Sequence, residues 1–87
     1  MQVLFEARAF RELRDWAETD SKTVKKIFRL IDDIDRDPFH GLGWPEPLKH
    51  ELAGFWSRQI NMKDRLVYEV RDNVIRIASC KTHYDDH

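Results

Sequence analysis

A single cysteine, Cys80, excludes an internal disulfide framework and suits a reducing cytosol. Glycine is scarce too: Gly41, Gly43 and Gly54 are too scattered to form a phosphate-cradling loop. No apolar run approaches the length of a membrane span, and the opening MQVLFEARAF lacks the basic-then-apolar pattern of a secretory signal. Neither charge sign is in excess. The chain carries 15 Lys and Arg against 16 Asp and Glu, a net charge of −1. Bulk charge therefore does not mark a nucleic-acid binder, and any such contact must come from a local cluster. There are no repeats and no low-complexity segments. The expectation is a cytoplasmic protein with no membrane segment, no metal and no cofactor.

What is present suits one small domain spanning residues 1–87, with 85–87 read as a tail. Hydrophobic residues make up 41% of the chain, enough for a thin core. Residues 2–6 read as a strand. Residues 7–19 read as a helix with Phe10, Leu13, Trp16 and Ala17 inward and Arg11, Glu12, Asp15 and Glu18 outward. Thr19, Asp20 and Ser21 offer an N-cap for a second helix over 21–36, whose apolar stripe is Val24, Ile27, Phe28, Ile31 and Ile34. Lys22, Lys25, Lys26 and Arg29 load its first half, and Asp32, Asp33, Asp35 and Asp37 lie at its end. That polarity opposes the helix dipole, so it is either a solvated face or a surface for a charged partner. Pro38 stops the helix. Beyond it the period changes to two: a hairpin of 50–53 with 55–61 around Gly54, a turn at 61–64, strand 65–71, a two-residue turn at Asp72-Asn73, and strand 74–80. The class is α+β, a small, mainly antiparallel sheet with both helices on one face.

The stretch 41–65, GLGWPEPLKHELAGFWSRQINMKDR, holds the most chemistry. Pro45 and Pro47 keep Glu46 in a stiff, extended segment that neither prolongs a helix nor donates to a sheet ladder. Loop carboxylates are mostly solvated, and the local sequence alone favours that reading. Lys49, Arg58 and Arg65 follow within reach of the same loop. His83 and Tyr84 come just after the last strand and supply a proton carrier and a stacking face, or simply a frayed end. A metal set from His83, Asp85, Asp86 and His87 is disfavoured, because a chain end is seldom rigid enough for a closed ligand set. Cys80, inside a strand, reads as inert packing. A glutamate, several cations and a histidine suffice for one reaction, attack of an RNA 2′-hydroxyl on the adjacent phosphate.

The runs ETDSKTVKKI, DPFHGLG, PEPLKHELAGFWSRQI, RLVYEV and CKTHY closely resemble the YoeB toxins of the RelE-like superfamily. The resemblance covers almost the whole chain. It implies a RelE-like fold and ribosome-dependent cleavage of messenger RNA in the decoding site. By matching positions, it implies Glu46 as general base, His83 as general acid and Arg65 as phosphate stabiliser helped by Lys49. Tyr84 would position or stack on the substrate, and Arg58 would be a further RNA contact. The resemblance also implies a YefM-like antitoxin, DNA bound only indirectly through that antitoxin, and a toxin homodimer. The chain departs from the pattern at Gln59, where many relatives carry a second arginine, at Trp44, and in Asp85-Asp86-His87 after the usual HY ending. The alternative is a non-catalytic toxin-like subunit acting in antitoxin binding and transcriptional autoregulation.

Overall fold

The computed structural model describes residues 1–82. The elements are β1 (Gln2–Phe5), α1 (Ala7–Thr19), α2 (Ser21–Arg36), β2 (Glu46–Pro47), a 3-10 turn (His50–Leu52), β3 (Trp56–Gln59), β4 (Arg65–Arg71) and β5 (Val74–Thr82). The sheet runs β1-β5-β4-β3-β2. β1 is parallel to β5, and the other neighbours are antiparallel. The expected α+β architecture is what forms.

Both helices begin and end where the sequence places them. Asp20 caps α2, its carboxylate accepting from the Thr23 amide at 3.3 Å and the Thr23 hydroxyl at 2.8 Å. The faces they bury differ from the expectation. α1 buries Ala9 and packs Leu13 and Trp16 on the core, while Phe10 is 54% exposed. α2 buries Ile27, Leu30, Ile31 and Ile34, and Phe28 is 49% exposed. Against them lie Leu66, Tyr68, Ile75 and Ile77, all fully buried. Burying one such aliphatic side chain is worth roughly 1.5–3 kcal/mol, so this shared layer is what fixes the helices to the sheet.

Two local features correct the expected strand pattern. Residues 50–53 do not pair as a strand. His50–Leu52 form a 3-10 turn in which His50 has a positive φ of 58°, and the partner of β3 on that side is the two-residue β2 instead. β5 carries an irregularity opposite Val67 and Tyr68, which pair with Ser79 and Ile77 and leave Ala78 unmatched. Strict alternation from Ile75 would turn Cys80 outward. The bulge turns it into the core, where burial pushes its thiol pKa up to about 12, with Glu12 and Asp64 adding to the effect. The Asp72-Asn73 turn forms as expected, both residues in the left-handed region at φ 55° and 62°.

Glu12 is also corrected from solvent to structure. The paired part of β1 ends opposite Ile77, leaving the last part of β5 without a neighbour strand on that side. α1 supplies a substitute. Glu12 Oε1 accepts from the amides of Cys80 at 2.7 Å and Lys81 at 3.2 Å, and Trp16 Nε1 donates to the Cys80 carbonyl at 2.9 Å. Buried main-chain groups must find partners, and here two side chains provide them.

Candidate active site

Alternation along β3 decides which residues can act together. Trp56 and Arg58 turn towards the helices, and Ser57 and Gln59 turn to the opposite, helix-free face. Cross-strand pairs share a face, so register extends this assignment across the sheet. Glu46 pairs with Ser57, Ser57 with Val67, and Val67 with Ser79. Gln59 pairs with Arg65, and Arg65 with Thr82. The helix-free face therefore carries Glu46, Ser57, Gln59 and Arg65 side by side.

Glu46 reaches this face because of its prolines. Pro47 lacks an amide hydrogen, and β2 is an edge strand, where that donor is not required. The ladder is completed on either side, by Gln59 N–H donating to the Gly43 carbonyl at 2.6 Å and Leu48 N–H to the Phe55 carbonyl at 2.9 Å. The Arg65 guanidinium lies 3.1 Å from the Glu46 carboxylate and donates to the Ser57 hydroxyl at 3.2 Å. The Glu46 side chain is 56% exposed, that of Arg65 24%, and Ser57 is fully buried, so a ligand reaches the pair from the Glu46 side. Lys49 is exposed at the foot of the 3-10 turn. Gln59, the position where an arginine was expected, lies directly opposite Arg65, so that departure falls inside the site.

The expectation that Arg58 contacts substrate is corrected. Arg58 is fully buried on the helix side of the sheet. Its Nη1 donates to Asp33 Oδ2 at 2.5 Å and to the Leu42 carbonyl at 3.1 Å. Its Nη2 donates to the carbonyls of Asp37 at 2.7 Å and His40 at 3.3 Å, and its Nε to the Tyr68 hydroxyl at 3.1 Å. A guanidinium has five N–H donors, and none is left for a phosphate. The Tyr68 hydroxyl donates in turn to the Pro38 carbonyl at 2.7 Å. Asp33, assigned by sequence to an acidic run, is the anchor of this cluster. The Leu42 amide, and after it Arg36 and Arg58, hold its carboxyl at about 2, well below the usual range. A side chain on Gly41 would collide with that carboxylate, which explains the glycine.

His83 and Tyr84 lie outside the described residues. β5 ends at Thr82, which pairs with Arg65. Among the described residues no three His, Cys, Asp or Glu side chains converge as a metal site. Sequence reasoning missed Ser57 and Asp33. Ser57 could have been found from the alternation set by inward-facing Trp56; Asp33 could not, because its partner is 25 residues away.

Residues 5–84 match the family model described as YoeB-like toxin of bacterial type II toxin-antitoxin system. The chain is 49% identical to Toxin YoeB of Escherichia coli K12 over 84 residues, covering 97% of this chain and 100% of the relative. Its fold matches the YoeB/ParE toxin from Agrobacterium tumefaciens with a TM-score of 0.94 at 38% identity, covering 97% of this chain and 100% of that one. It also matches the toxin in a heterotetrameric YoeB-YefM toxin-antitoxin complex from Staphylococcus aureus, with a TM-score of 0.89, 47% identity and coverage of 97% and 98%.

Proposed function

The chain belongs to the YoeB-like toxins of bacterial type II toxin–antitoxin systems, and from that premise we propose that it is a ribosome-dependent endoribonuclease restrained by a YefM-like antitoxin. The observation that carries this reading is the Glu46–Arg65 pair at 3.1 Å on the helix-free face, with the Glu46 carboxylate more than half exposed. A base and a cation held together are two of the groups that attack of a 2′-hydroxyl on the adjacent phosphate requires, the third being an acid for the leaving 5′-oxygen.

The scissile phosphate enters beside Arg65 and draws the guanidinium from Glu46. The freed carboxylate takes the proton of the 2′-hydroxyl, which already lies next to phosphorus and so has the entropic advantage over water. Oxygen–phosphorus bond formation places extra charge on the phosphorane, met by Arg65 with Lys49. The bond to the 5′-oxygen breaks, and His83 supplies its proton while Tyr84 holds the substrate. The products are a 2′,3′-cyclic phosphate and a free 5′-hydroxyl. The ribosome presents the messenger in an oriented form, which a protein of net charge −1 cannot do by bulk attraction.

The test is a messenger with one 2′-deoxy substitution at the scissile nucleotide, programmed into ribosomes. Cleavage should be abolished, because the nucleophile is gone while most contacts stay. Cleavage of that substrate at the normal rate would overturn the mechanism.

A further inference from the structure

We propose that Arg58 and Asp33 are positioning residues for the reaction: they lock the 37–43 segment so that Glu46 enters the sheet in the register that sets it against Arg65. This rests on the ribonuclease reading above.

The need for such a lock follows from the size of β2. Two residues, Glu46 and Pro47, make the whole strand. A ladder that short specifies its register weakly, and a slip of one residue would turn Glu46 from the helix-free face to the other. The preceding segment carries little regular structure of its own. Gly43 and Trp44 are both in the left-handed region, at φ 80° and 56°, and Trp44 is 76% exposed.

The Arg58 cluster supplies what the strand lacks. Its guanidinium holds three carbonyls of this segment, those of Asp37, His40 and Leu42. Asp33 holds the Leu42 amide at 2.8 Å. Leu42 is thus gripped at both its N–H and its C=O, immediately before Gly43 joins β3. The main chain on either side of Arg58 then carries the lock to the site. The Gln59 amide bonds the Gly43 carbonyl at 2.6 Å, and Ser57 pairs with Glu46 and accepts from Arg65. One residue therefore fixes the loop with its side chain on the inner face, while its neighbours fix Glu46 on the outer face. Stability alone does not call for this device, since buried ion pairs are often replaceable by apolar side chains at no loss. An apolar residue at 58 could fill the space but could not hold three carbonyls.

The test is a double-mutant cycle between Asp33→Asn and Glu46→Gln, read in single-turnover cleavage on ribosomes. Asp33→Asn keeps the side-chain shape and removes the charge that holds Arg58. Alone it should lower the cleavage rate at saturating enzyme about tenfold, the size expected when a catalytic group is misplaced rather than removed. In the Glu46→Gln background it should change the rate less than about twofold, because the group it positions no longer acts. Equal losses in both backgrounds would mean general loosening and would overturn the proposal, as would no loss in the parent. A second arm needs no cleavage. Amide hydrogen exchange at Leu42 and Gln59 should quicken in Asp33→Asn while Leu66 and Ile77 stay protected. Unchanged exchange at Leu42 and Gln59 overturns the lock on its own. Should the parent protein fail to cut any messenger, the ribonuclease reading falls, and the exchange arm still decides whether the lock exists.

Discussion

Arg58 and Arg65 look alike in the sequence, as arginines in neighbouring strands, yet they do opposite work. Parity in β3 and β4 separates them: Arg58 pairs with Leu66 on the core face, and Arg65 pairs with Gln59 on the open face. That parity was legible from Trp56; what obscured it is the ordinary expectation that a charged side chain points outward. Their mutants should differ accordingly. Arg58→Ala should lower unfolding free energy by about 3–5 kcal/mol, since it empties a fully buried site and takes the guanidinium from Asp33 and from the carbonyls of Asp37, His40 and Leu42. A urea melt with a lower midpoint and unchanged slope would report it. Arg65→Ala should cost no more than about 1 kcal/mol, because its pair with Glu46 is partly exposed. Its cleavage rate should fall by about two to three decades, and that of Glu46→Ala by about two to four. Asp33 adds a pH signature. Its carboxyl lies at about 2 in the folded chain against an ordinary 3.8. A depressed folded pKa contributes stability that is present above the ordinary value and lost as pH falls from there through about 2. Thermal melts of the parent across that window should drop more steeply than those of Asp33→Asn.

The elements were legible where local signals mark their ends, and misread where a neighbour decides. Asp20 and Pro38 punctuate the helices strongly enough to fix both boundaries. The same stretch does not say which of two overlapping apolar stripes is buried. Phe10 and Phe28 are larger than Ala9 and Leu30, but the close approach of α1 to β5, where Cys80 donates to the Ala9 carbonyl at 3.6 Å, selects the small residue. The β5 bulge and the short β2 were hidden for a similar reason: both are defined by pairing with distant strands. Gly43 gives an element-scale prediction. Its φ of 80° and a would-be Cβ 3.0 Å from the Gln59 carbonyl make Gly43→Ala strained. The substitution should cost about 1–3 kcal/mol. It should slow cleavage as well, since the strain is relieved by lifting β2 from β3. A variant that melts and cleaves like the parent would show that β2 does not depend on this junction.

At the scale of the whole molecule, the candidate site adjoins exposed apolar surface. Glu46 is exposed on the helix-free face, and Phe39, Leu42 and Trp44 add exposed apolar surface on the segment leading to it. An antitoxin segment that covers this surface should order as it binds, giving a negative heat-capacity change and an unfavourable entropy in calorimetry; rigid-body binding would lack the entropy cost. The strand order has a consequence in time. β5 lies between β1 and β4, so the strand synthesised last among those described occupies an interior place in the sheet. Until it emerges, β1 has no strand to join and α1 has no Cys80 amide to hold, so the nascent chain cannot close its core. A chain stopped at Asn73 should show no cooperative melt. A ribosome making this protein is thereby kept apart from the cleavage we propose until β5 has emerged, by the order of the strands alone.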